Sequence, residues 1–150
     1  MVNRKCGVLL VVLVVLGASA FGLDFPLEDA GYLSAQDAER EIIGRWRLVA
    51  GYDTQRPEFS RLVPPTETPW LEFRQDKRGT DATGPVQEAE FTWEISERDS
   101  ELWISMHFPD FGMEDMHKLL FSTGRMILIW PDIERSGDTP VINAIVHERQ

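Results

Sequence analysis

Apolar and polar residues alternate most sharply over residues 88–96, where Ala89, Phe91, Trp93 and Ile95 interleave with Glu88, Glu90, Thr92, Glu94 and Ser96. A period of two puts every second side chain on one face of a pleated strand, so this stretch predicts an antiparallel strand with one buried and one wet face. The same period organises residues 43–52, where Trp46, Leu48, Ala50 and Tyr52 are expected to share a face. It recurs in residues 70–74 (Leu71 and Phe73 inward) and 102–108 (Leu102, Ile104, Met106 and Phe108 inward), and strands are also expected over 116–122, 126–130 and 141–149.

One helix is expected before these strands. Ser34 opens the run Ser-Ala-Gln-Asp, in which a serine N-cap followed three residues later by Asp37 resembles a capping box, and residues 35–42 are good helix formers ending near Gly44. Between the strands, Asp76-Lys77-Arg78-Gly79 reads as a turn, 80–87 as a loop around Gly84-Pro85, and Glu97-Arg98-Asp99-Ser100 as a hairpin link. Residues 53–69 carry Pro57, Pro64, Pro65 and Pro69, which cannot donate to a ladder, so a long irregular loop is expected with a brief extended piece at 59–63. Loops of that length often overlie a functional opening. The predicted fold is all-β: an antiparallel up-and-down meander of seven to eight strands that closes into a barrel and so loses its edges, with one short N-terminal helix.

Composition sets the outer bounds. The chain has 150 residues, 43% of them hydrophobic, with eight Phe, five Trp and two Tyr, which is enough for one core and one domain. Arg4 and Lys5, the apolar run 8–16 and Ala18-Ser19-Ala20 follow the order of a cleavable secretory signal, so residues 1–20 are assigned to a leader, 21–33 to an arm and 34–150 to the barrel domain. Secretion or a periplasmic location is the expectation. Cys6 lies before the apolar run rather than at the cleavage point, which disfavours lipidation and leaves a mature chain without cysteine. Losing Arg4 and Lys5 lowers the basic count from 15 to 13 against 25 acidic residues, moving the formal charge from −10 to −12. Such a surface repels nucleic acid and anionic membranes and favours a basic partner.

Taken together, the helix before Gly44-Arg45-Trp46, the long first loop, the meander and Arg149 near the end of the last strand resemble the lipocalin-like or calycin group, specifically its small secreted bacterial domains. The resemblance covers about residues 34–150 and implies a barrel whose Trp46 is covered by the Arg149 guanidinium at the closed end. It also implies a small apolar ligand at the open end. The chain departs from full-length lipocalins in being shorter and in lacking a C-terminal helix.

Candidate chemistry is sparse. His107, Asp110, Glu114, Asp115 and His117 could meet at one rim, but their spacing matches no usual metal-ligand pattern and is expected to form a solvated acidic loop. No nucleophile elbow, reactive cysteine or glycine-rich phosphate loop is present, and neither catalysis nor a cofactor is predicted. Phe73, Phe91, Trp93 and Met106 are the expected lining of a pocket for a small hydrophobic ligand. The same large residues could instead fill a narrow barrel, which would then serve as a scaffold for a protein partner. Trp70 and Trp103 fall out of phase with their strands' apolar rows and are the residues expected to face outward.

Overall fold

A computed structural model describes residues 33–150 apart from 57–58, 64–68, 84–87 and 123. The expected leader and nearly all of the expected arm, 1–32, lie outside the described residues. Helix α1 (Ala35–Ile42) starts as its sequence signals: the Ser34 hydroxyl oxygen accepts from the Asp37 N–H at 3.1 Å while its O–H donates to the Asp37 carboxylate at 2.7 Å. Among the described residues nine strands follow: β1 (Gly44–Tyr52), β2 (Ser60–Leu62), β3 (Trp70–Phe73), β4 (Arg78–Asp81), β5 (Ala89–Arg98), β6 (Glu101–Phe108), β7 (Met113–Ser122), β8 (Arg125–Ile129) and β9 (Ala144–Arg149). All pairings are antiparallel. Strands β1 and β3 to β9 pair in sequence order and β9 returns to β1, giving a closed eight-stranded barrel, while β2 pairs with the last three residues of β1.

Where the chain departs from its local pattern, long-range packing is responsible. Strand β4 occupies residues expected to form a turn and a loop. It is too short to show alternation, and its buried residues are Gly79 and Thr80. Gly79 sits opposite Phe91, and a Cβ there would lie 2.2 Å from the Phe91 ring, so the ring takes the space a side chain would need. Thr80 faces outward and donates to Glu90 Oε1 at 2.7 Å. Strand β9 begins at Ala144, because Val141 and Asn143 are held by the end of β1 instead.

Strand β1 does not keep one face along its length. Trp46 pairs with Arg149 and Leu48 with His147, but after a bulge between Leu48 and Ala50, Ala50 pairs with Val146 and Tyr52 with Ala144. An extra residue reverses the phase. Trp46 therefore belongs to the barrel core, whereas Ala50 and Tyr52 join Ile127, Ala144 and Val146 in a second apolar cluster on the outer face. The expectation that Trp46, Leu48, Ala50 and Tyr52 share a face is corrected accordingly. At the other side of the barrel, β5 and β6 are joined by Asp99 and Ser100, both with positive φ (52° and 64°), the geometry of a tight two-residue hairpin.

The closed end is built where α1 runs into β1. The Trp46 indole N–H donates to the Ile42 carbonyl at 2.7 Å. Arg149 donates to the Ile43 carbonyl at 2.9 Å, to the Glu41 carbonyl and to the Glu41 carboxylate at 2.9 Å, with its guanidinium 4.4 Å from the Trp46 ring centroid. These donors satisfy carbonyls that a helix end leaves unpaired. Gly44 makes the approach feasible: its φ of +127° is closed to most side chains, and a Cβ would stand 3.2 Å from an Arg149 nitrogen.

Trp46 is fully buried, so Trp46→Ala is expected to cost about 3–5 kcal/mol, as aromatic truncations in cores do. Arg149→Ala, at a half-exposed position, should cost less. Chemical denaturation of the two variants against the parent measures both, and a Trp46→Ala loss below about 1 kcal/mol would remove this residue from its structural role.

Candidate functional site

The four residues expected to line a pocket come together inside the barrel. Phe73, Phe91, Trp93 and Met106 are each 1–4% exposed. Phe73 meets Phe91 edge-on at 5.4 Å and Trp93 at 5.8 Å, and Phe91 meets Phe108 at 5.4 Å. The Trp93 indole N–H donates to the Arg78 carbonyl at 3.1 Å, and Lys77, paired with Glu39 of α1, lies 4.3 Å above its ring. Rings at these separations are in mutual contact and act as core.

Two imidazoles share this interior. His117 on β7 and His147 on β9 are both fully buried, and neither has a hydrogen-bond partner on either ring nitrogen. Burial pulls His147 down to about 3, helped by the neighbouring His117. The Met126 carbonyl opposes burial, by more than His117 assists it, without making a hydrogen bond of normal geometry. Burial also lowers His117, against the opposing pull of Asp115, and the His117 ring stands perpendicular to Trp130 at 4.3 Å. His107, by contrast, lies on the outer phase of β6 and is exposed, as are Asp110 and Glu114. The rim at which His107, Asp110, Glu114, Asp115 and His117 could have met does not form, because one imidazole points into the barrel and the other out. Among the described residues no group of three or more His, Cys, Asp or Glu could hold a metal ion.

The end of the barrel opposite α1 is organised by Asp53, a fully buried carboxylate just past β1. It accepts from both terminal nitrogens of Arg135 at 2.6 and 2.7 Å, from the Val141 N–H at 2.9 Å and from the Gln55 N–H at 2.8 Å. The Arg135 hydrogen bond holds its carboxyl far below the usual carboxylate range, with the Val141 and Gln55 N–H groups adding to the shift against the penalty of burial. Asn143 works beside it, accepting from the Thr54 N–H at 2.8 Å and donating to the Thr54 hydroxyl at 2.9 Å. The connection from β8 to β9 is thus fastened to the end of β1.

That fastening leaves a groove of about 630 Å³ on the outer side of the barrel, lined by Thr54, Gln55, Lys118, Leu120, Ile129, Pro131, Ile133, Arg135 and Asn143. Lys118 and Leu120 lie on the outward phase of β7, next to Ile129 of β8. Both cations are already paired, Lys118 with Glu101 and Arg135 with Asp53, so the groove presents apolar side chains and neutral amides more than free charge. A smaller hollow of about 200 Å³ adjoins it, lined by Trp103, Met116, Trp130, Pro131, Asp132 and Ile133. Trp70, also outward, is covered by the Arg45 guanidinium at 4.0 Å.

Sequence reasoning did not single out Asp53, Arg135, Asn143 or His147. Asp53 carried a usable signal, a short acid directly after the last strand residue that can bond its own backbone two residues on. His147 carried another, a polar residue on the same phase of β9 as Ile145 and Arg149. Arg135 carried none, since its partner is distant in sequence. No family model matches this sequence, and no curated protein or solved structure matches it either.

Two buried groups give separate acid dependences. Unfolded histidine titrates near about 6.5, and His147 folded near about 3, so its stabilising contribution is complete above the first value and drains away as pH falls toward the second. His147→Leu should flatten the stability profile between those limits. Asp53, depressed when folded, contributes fully above about 4 and loses that contribution only at lower pH. Asp53→Asn should cost about 1–3 kcal/mol at neutral pH by breaking buried hydrogen bonds, and should remove the steepest acid loss. Urea midpoints at a series of pH values check both, and an unchanged profile for His147→Leu would contradict the burial argument.

Proposed function

We propose that this chain is an exported, lipocalin-like binding module that takes a small, largely apolar ligand beside the open end of its barrel. The groove carries this reading. Its volume of about 630 Å³ lies within the range of about 300–1,000 Å³ typical of small-molecule sites. Leu120, Ile129, Pro131 and Ile133 supply apolar surface, and Thr54, Gln55 and Asn143 supply the few polar groups that would orient a ligand. The pinned Asp53–Arg135 pair keeps one side of the groove preformed, which lowers the ordering cost of binding. Export is supported by the charged, apolar and small-residue order of residues 1–20, and the lipocalin-like relationship by the closed ring, the helix before Gly44 and the Arg149–Trp46 contact.

The ring-to-ring packing of Phe73, Phe91 and Trp93 moves the proposed ligand out of the barrel interior and into the groove. A second reading is a scaffold for a protein partner, favoured by Phe111, which is 66% exposed on the 3₁₀ turn Pro109–Phe111 between β6 and β7. Titration with neutral aromatic and fatty-acid probes separates the two. Leu120→Glu, on a half-buried outer position, should abolish saturable binding, and Phe91→Leu should lower stability while leaving affinity unchanged. Binding that survives Leu120→Glu and fails in folded Phe91→Leu would overturn the groove assignment.

A further inference from the structure

The small hollow beside the groove has a different chemistry. Trp103 and Met116 stand diagonally across the β6–β7 ladder on the outer face, since Trp103 pairs with Lys118 and Ser105 with Met116. Residues 130–133 cross beside them and contribute Trp130, Pro131, Asp132 and Ile133. Trp103, Met116, Trp130 and Pro131 thus border a space of about 200 Å³ in which one lining residue, Asp132, bears a charge, and that charge is negative.

We propose that this hollow binds a quaternary or similarly substituted ammonium group. Indole faces carry negative quadrupole density and attract cations more strongly than other aromatic side chains, and alkylated ammonium groups give up hydration readily enough to sit among them. The carboxylate of Asp132 adds charge complementarity, and a chain with a formal charge of −10 draws cations toward it. Arg98 flanks the hollow, with a guanidinium nitrogen 3.6 Å from the Met116 sulfur. Lys118, the other flanking cation, is neutralised by Glu101. From inside the barrel, His117 packs perpendicular to Trp130 and keeps that indole in place. Pro131 and Ile133 border both the hollow and the groove, so a ligand with an ammonium head and an apolar tail could occupy the two together.

The assignment of the hollow stands without the groove reading, and calorimetric titration of the full chain keeps them distinct. Choline is the first probe and 3,3-dimethylbutan-1-ol, its uncharged carbon isostere, is the control. Choline should bind saturably and about tenfold or more tighter than the alcohol, in line with a desolvated cation–ring contact. Trp103→Leu and Asp132→Asn, both checked for native circular dichroism, should each weaken choline severalfold. Hexyltrimethylammonium should bind more tightly than choline if the tail enters the groove, and equal affinities would support the hollow while counting against the groove. Phosphatidylcholine vesicles distinguish sources: free choline binding assigns a soluble ligand, and vesicle binding alone assigns the same headgroup on a lipid. No heat from either source, equal binding of the alcohol, or choline affinity untouched by Trp103→Leu would each overturn the proposal.

Discussion

The structure depends on closure of the ring by β1–β9 pairing, which brings Arg149 back to the junction of α1 and β1. One guanidinium lies over the Trp46 ring and donates to the carbonyls of Glu41 and Ile43, groups more than a hundred residues earlier in the chain. A helix end carries partial negative charge and unpaired carbonyls, so a cation there is favourable twice over. The contact also coincides with β1–β9 pairing, the step that converts an open meander into a ring. Closing so long a loop costs chain entropy, and the closed ring offsets it by removing both edges at once. Gly44 enters this arrangement through its backbone, since a side chain there would meet the arginine.

The bulge in β1 has the largest consequence for the outer surface. By reversing the phase after Leu48, it sends Ala50 and Tyr52 outward, where they form an apolar cluster with Ile127, Ala144 and Val146. The β8–β9 connection runs beside this outer face, where Pro131, Ile133 and Arg135 border the groove together with Leu120 and Ile129. Asp53 fastens that loop through Arg135 and Val141. Breaking one partner of a buried ion pair is far more costly than the pair's net contribution, so the loop is held in one position rather than merely attracted to it. The groove and the adjoining tryptophan hollow both follow from this placement. The interior does something else: its aromatic rings interlock, and its two unpartnered histidines remain neutral because burial opposes their protonation.

The sequence by itself determined the elements whose cause is local. Period-two alternation located β5 and β6, Ser34 with Asp37 marked the start of α1, and the spacing of strands and turns indicated an antiparallel barrel. The inward phase of Phe73, Phe91, Trp93 and Met106 was legible as well, because burial on one face leaves its imprint every second residue. Only the tertiary structure decided the rest. Strand β4 forms by pairing with β3 and β5, with the Phe91 ring in the space above Gly79, and four residues without a large apolar side chain carry no period. The bulge is set by pairing with β9, and the Asp53–Arg135 and Asn143–Thr54 bonds join residues 82 and 89 positions apart. Interactions across such separations leave no mark on neighbouring residues, so the barrel could be read from the pattern whereas the surfaces that could bind a ligand came only from the folded chain.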